Sequence, residues 1–218
     1  MSPATLYTAS VISGFLSFAP AIAAWCRLPV IRAAYYPFIV LLSANAVAEL
    51  VSIILVHYHR NNTAWFNVYA LVSLLLVAWQ LLNWAPSRCF ALCLKIISAA
   101  LGLVWVLLYY RAGTLMQSFT LFLLLKPVAL CLLCFYLLYH RLPNSSFGIY
   151  KDATVIICAG WLMLFAYMGI TELMMHFSAH MPIAVGNYLW GFFTFFNILV
   201  LILHLIAVLW IPPKTPSS

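Results

Sequence analysis

Charge is the scarcest property of this chain. Asp and Glu together number three, Lys and Arg ten, and only 6% of the 218 residues are charged. A water-soluble domain carries roughly 25%, so the composition excludes a soluble fold. Polar stretches long enough to fold by themselves are also missing, which leaves a single membrane domain. Basic clusters that would grip phosphate backbones are absent, so the net charge of +7 does not mark a nucleic-acid partner. The motifs of common soluble enzymes are missing too: there is no phosphate loop, no G-x-S-x-G and no H-E-x-x-H. None of the six cysteines (Cys26, Cys89, Cys93, Cys131, Cys134, Cys158) falls in a loop on the outer side, which argues against a disulfide framework.

What the chain has instead is hydrophobic length. Hydrophobic residues make up 67% of it, and a spanning helix needs roughly 20 of them at about 1.5 Å rise each. Seven runs qualify: 6–26, 33–58, 66–84, 89–110, 119–142, 153–177 and 187–211. The expected fold is all-α, a polytopic seven-helix transmembrane bundle whose first partner is the lipid bilayer. Residues 212–218, with Pro212, Pro213 and Pro216, form a short tail that cannot continue a helix. Arg27, Arg32, Arg88, Arg141, Lys151 and Lys214 fall on one side and Arg60 and Arg111 on the other. The excess of basic residues marks the cytoplasmic side, so the expectation is N-terminus out and C-terminus in, as a multi-pass protein of the inner (plasma) membrane. The first run has a cleavage-like Ala21-Ile22-Ala23 but no basic residue over 1–8, and is read as a retained helix. No internal repeat marks two three-helix units of the kind found in small sugar transporters.

Polar residues at helical spacing tell which faces turn inward. The stripes include Ser10, Ser13 and Ser17; Asn45, Glu49 and Ser52; Tyr69, Ser73, Gln80 and Asn83; Met168, Glu172 and His176; and Asn187, Trp190, Thr194, Asn197 and His204. A carboxylate inside the apolar run 33–58 costs a few kcal/mol or more unless it is paired, neutral or wetted. Counted from the run ends, Glu49, Lys126, Glu172 and Asn197 lie about 13, 10, 8 and 15 Å deep. The simplest expectation sets Lys126 against Glu49, Glu172 or both, with Asn45 and Asn197 supplying amide hydrogen bonds. The candidate ligand or ion pocket is Asn45, Glu49, Asn67, Lys126, Glu172 and Asn197. A fixed ion pair that locks helices together is the competing reading of the same residues.

Histidines gather at the outer ends of the second and sixth runs. His57, His176 and His180 are the candidate metal ligands, with Glu172 beside them and Zn²⁺ as the ion; without that site no cofactor is expected. Interfacial histidines without metal are the plainer reading of the same cluster, and a pH-sensing role is physically open to it. Cys131-x-x-Cys134 lies mid-run and reads as packing rather than redox chemistry. A haem between His140 and His204 would need both on facing helices.

Leu42-Ser-Ala-Asn45 through Glu49, Asn61-Asn-x-x-Trp65-Phe-Asn67-x-Tyr69, and Asn187-Tyr-Leu-Trp190 through Phe196-Asn197-Ile198 resemble small uncharacterised seven-helix membrane proteins of Bacteroidetes-type bacteria. That resemblance implies an inner-membrane protein and no established activity. The last run has no lysine for a retinal Schiff base and no Asn-Pro-x-x-Tyr, so rhodopsins and G-protein-coupled receptors share only a helix count. The leading functional expectation is a receptor-like or signal-associated module. It would bind a small or lipid-like ligand, or a proton, in the outer half of the membrane, and would act on an inner-face signalling partner or a second copy of itself. A small transporter using the Glu/Lys set, a lipid-modifying membrane enzyme and a structural subunit are the alternatives.

Overall fold

The first apolar run folds as two helices rather than one. In the computed structural model, which describes residues 3–59, 61–144, 151–177 and 183–214, α1 spans Pro3–Leu16 and α2 spans Phe18–Arg27. At Ser17 the backbone N–H and the side-chain hydroxyl both turn onto the carbonyl of Gly14, at 3.2 and 2.6 Å. Pro20 follows three residues later, without an N–H and with a ring that crowds the carbonyl four residues back. Together they interrupt the helical ladder inside the membrane span.

The remaining helices are α3 (Tyr36–His59), α4 (Thr63–Asn83), α5 (Arg88–Ala112), α6 (Thr120–Arg141), α7 (Ala153–Phe177) and α8 (Ile183–Trp210). Their ends follow local chemistry. Ser87 caps α5 by accepting the N–H of Phe90 at 3.1 Å. Gly113 ends it at φ +66°, a conformation that glycine adopts without a Cβ penalty. Asp152 accepts the N–H of Thr154 at 2.9 Å and pairs with Arg141 at 3.2 Å, the one ion pair among the described residues. Gln80, fully buried in α4, spans to the start of α3. Its Oε1 accepts the N–H of Phe38 at 2.8 Å and its Nε2 donates to the carbonyl of Ala34 at 2.7 Å. A polar residue near the end of α4 is thus the group that satisfies its neighbour's first turn.

Among the described residues, seven helical spans, the first made of α1 and α2, are long and apolar enough to cross a membrane, so the chain is an all-α bundle and a multi-pass membrane protein. Successive spans are neighbours, and α1 and α2 pack on both α3 and α8, which closes the order into a ring. One end of the ring, here the basic end, carries Arg27, Arg32, Arg88, Arg141, Lys151 and Lys214. There Arg27 donates to the carbonyls of Val208 and Ile211 at the close of α8, and Arg32 donates to that of Pro213 at 3.2 Å. Ile31 and Pro213 form a single antiparallel bridge, with Lys214 N–H on the Val30 carbonyl at 2.7 Å. The tail therefore does not hang free up to residue 214. It is strapped across the loop between α2 and α3.

Arg60 and His180 lie outside the described residues, as do the side chains of His176, Asn187 and Trp190.

Candidate functional site

The interior of the ring holds a cavity of about 130 Å³, walled by α3, α4, α6, α7 and α8. Its wall is mostly apolar, with Leu42, Phe66, Trp161, Phe165 and Phe193 among the contributors. Four of the six residues expected in a pocket reach it: Asn45 and Glu49 from α3, Lys126 from α6 and Asn197 from α8. Tyr69, Ser73 and His204 add further polar atoms.

Each of these is held differently. Asn45 accepts a hydrogen bond from Tyr69 Oη at 2.9 Å. Asn197 donates to Ser13 Oγ of α1 at 3.0 Å. Lys126, only 4% exposed, donates to Ser73 Oγ at 2.9 Å and to the Ala70 carbonyl at 3.3 Å. An ammonium has three donors, so these two neutral acceptors leave one donor without a partner and the charge without an ion pair among the described residues. Glu49 is half-buried, one helical turn from Asn45. It lies against Gly14 of α1, where a Cβ would stand 3.5 Å from its Oε2. Among the described residues Glu49 has neither a hydrogen-bond partner nor an ion pair.

The expected pairing of Lys126 with a carboxylate is therefore not what the structure contains. The depth estimate put the three charges level, but the buried Ala70 carbonyl and Ser73 hydroxyl of α4 reach the ammonium first. Glu172 lies one turn beyond Met168 on α7. It acts on Lys126 through its field but makes no ion pair with it and does not line the cavity.

Asn67 also departs from the expected set. It is fully buried, but its side chain is spent on the connection between α5 and α6. Nδ2 donates to the carbonyls of Leu115 and Gln117 at 3.0 and 2.7 Å, and Oδ1 accepts the N–H of Phe119 at 3.3 Å. Its own carbonyl accepts Trp105 Nε1 at 3.0 Å. Buried amides recruit loop backbone as readily as ligands, and the sequence does not distinguish the two uses.

Nothing among the described residues brings three His, Cys, Asp or Glu side chains to one point for a metal. His57 is exposed at the end of α3, away from the cavity. The haem pairing fails on placement, because His140 is exposed on α6 while His204 is inside the ring. Cys134 and Cys158 are buried and all six cysteines are free.

His204 is the residue the pocket list lacked. It is 6% exposed, stacks edge-on to Phe38 with centroids 5.2 Å apart, and its Nε2 has no partner among the described residues. Gly160 makes room for it, since a Cβ there would sit 3.4 Å from that nitrogen. The signal was present in the stripe of the last run: His204 is seven residues, two full turns, beyond Asn197. Below it, Tyr35, Phe38, Trp84 and Trp161 interlock at centroid distances of 5.4 to 6.1 Å and close the cavity towards the basic end.

No family model matches the chain, and neither the curated proteins nor the solved structures contain one similar to it.

Proposed function

We propose that this multi-pass membrane protein is a receptor-like binding module that takes a small molecule into the cavity at the centre of its helix ring. The observation that carries the reading is the pair Glu49 and Lys126. Both charges face one cavity, and neither makes an ion pair with the other or with a further group among the described residues. An unpaired charge inside a bilayer is costly and serves function more often than packing. Asn45, Tyr69 and Asn197 supply directional hydrogen bonds, and the aromatic wall supplies apolar contact. A dry, fully paired core, as a purely structural subunit would have, does not describe this interior. The distribution of Lys and Arg supports placing the basic end in the cytoplasm of an inner membrane. Changes in ring packing would then be read by a partner at that end, or by a second copy.

A carrier is the second reading, and one observation favours it. The break at Ser17 lies one turn from Gly14, which touches Glu49, and interrupted helices beside a midplane charge are a recurring feature of transporters.

The test is a thermal-unfolding screen of detergent-purified protein with four probes that share one isobutyl group: isobutylamine, 3-methylbutanoate, 3-methylbutanol and valine. The comparison variant is Met168→Trp, which fills the cavity without touching a polar group, with Leu164→Phe as a second filler. The expected result is that at least one probe raises the midpoint of the wild type and leaves both fillers unmoved. If no probe separates wild type from fillers, the binding reading falls.

A further inference from the structure

The chain has three acidic side chains, and one of them is left over. Asp152 pairs with Arg141 at 3.2 Å. Glu172 acts on Lys126 through its field, and that ammonium also holds Ser73 Oγ and the Ala70 carbonyl. Glu49 lines the cavity with no basic side chain acting on it among the described residues. We infer that the ligand of the cavity is a monovalent organic cation, a protonated amine whose ammonium meets Glu49 and whose short apolar body extends inward along the cavity wall. This rests on the binding reading above and names the class of molecule that it takes.

Three hydrogen bonds fix the register of α3 against α4: Asn62 donates to Ser52 Oγ, Trp65 Nε1 to the Ala48 carbonyl at 3.1 Å, and Tyr69 Oη to Asn45 Oδ1 at 2.9 Å. The two helices are antiparallel, so numbers fall along α3 as they rise along α4. Glu49 is therefore level with residues 64 and 65, and Ser73 with Leu41. The ammonium that Ser73 holds stands about eight residues deeper than Glu49, or about 12 Å.

The level of Glu49 has other groups that suit an ammonium. Phe66, one turn outward from Tyr69, lines the cavity there. Glu49 lies against Gly14, and Asn197 donates to Ser13, the residue before it. Asn197 thus flanks α1 at the same level, and its Oδ1 has no partner among the described residues. A carboxylate, an amide oxygen and an aromatic face are what an organic cation binds.

Distance decides the sign of the ligand. Coulomb energy falls inversely with separation, so an ammonium roughly 3 Å from Glu49 and roughly 10 Å from Lys126 is attracted about three times as strongly as it is repelled. An anion at Lys126 would duplicate the field of Glu172 and leave Glu49 as it was. Distance also sets the length of the body. Once a charge-assisted hydrogen bond of roughly 2.8 Å and a clearance of roughly 3.5 Å at Lys126 are set aside, about 6 Å remain, the length of about four or five carbons. The volume agrees: a dry cavity of about 150 Å³ holds benzene, and this one is about 130 Å³.

The test is thermal unfolding of the purified protein titrated with straight-chain primary amines from ethylamine to octylamine. The matching alcohols and carboxylates, and sodium chloride, run beside them. The expected result is that butylamine protects the wild type at a concentration about tenfold lower than its alcohol or carboxylate does. Its half-saturating concentration should fall about fourfold per methylene up to butylamine or pentylamine and rise again once the chain reaches Lys126. Glu49→Gln should bring amine and alcohol to parity, and Phe66→Leu should weaken the amine about threefold against the alcohol. If alcohol or carboxylate protects the wild type over the cavity fillers as well as the amine does, the cation is overturned while the binding reading survives. If sodium protects as well as butylamine and the chain-length series is flat, the site takes an inorganic ion and the organic body is overturned. If no member of any series separates wild type from fillers, the proposal falls together with the binding reading. Should Glu49→Gln lose its unfolding transition, Phe66→Leu and the chain-length series decide. An unchanged amine-to-alcohol ratio with a flat series then overturns the proposal.

Discussion

Replacing Asn67 by Ala is the sharpest test of how the ring is held, because one side chain satisfies three backbone groups at once. The substitution removes the bonds to Leu115 O, Gln117 O and Phe119 N–H and leaves the Trp105 contact to the main chain intact. A typical intramolecular hydrogen bond contributes about 0.5–1.5 kcal/mol net, and interhelical bonds measured in a membrane protein average about 0.6 kcal/mol. Three such bonds give about 2–4 kcal/mol. The carbonyl of exposed Gln117 can take water, but Phe119 is 2% exposed and its N–H has nowhere else to turn, so the lower end of that range is a floor. The assay is reversible unfolding in mixed micelles, with Asn45→Ala as the reference. Asn45 makes one side-chain bond, to Tyr69, and its loss should cost about 1 kcal/mol or less. The reasoning fails if Asn67→Ala costs no more than Asn45→Ala.

Three further outcomes follow from the same structure. Glu49→Gln removes an unpaired charge while keeping its shape, and should stabilise the empty protein by about 1–3 kcal/mol; a loss of stability would mean that Glu49 has a counter-charge. Gly14→Val should cost about 1–3 kcal/mol, since even a Cβ there would lie 3.1 Å from Ile53 Cδ1 and 3.5 Å from Glu49 Oε2; an unchanged midpoint would show that α1 moves freely off α3. Arg27→Gln should destabilise by about 1–2 kcal/mol, because it uncovers the Val208 and Ile211 carbonyls that close α8. That cost is to be compared by the same unfolding assay with Lys95→Gln, an exposed position expected to be near neutral.

The number of spans was legible because it depends only on the length of apolar runs. The break at Ser17 was not, although Ser17 and Pro20 are both in the sequence, because hydropathy stays high through a helix whose ladder is interrupted. Asn45, Asn67 and Gln80 look alike in sequence, being amides in apolar runs. What separates them is a partner 24 to 52 residues away, a Tyr hydroxyl, loop carbonyls or the first turn of another helix. Lys126 was wrongly partnered, because a position counted along an apolar run does not say which neighbour's backbone lies beside the charge. His204 was readable from its register with Asn197, and its importance emerged only once Gly160 was seen to make space for it.

The strap at the basic end bears on how the chain is made. Spans enter the bilayer in order, yet α1 and α2 find half of their packing on α8, and Arg27 meets its carbonyl acceptors only when residues 208–211 have been synthesised. Until then Ser13 waits in the membrane for Asn197, and the ring stays open on one side. Insertion can therefore proceed span by span while assembly is withheld to the end. The bridge from Ile31 to Pro213 is among the last contacts to form, and a chain released a few residues early would have every span in place and no strap across its basic end.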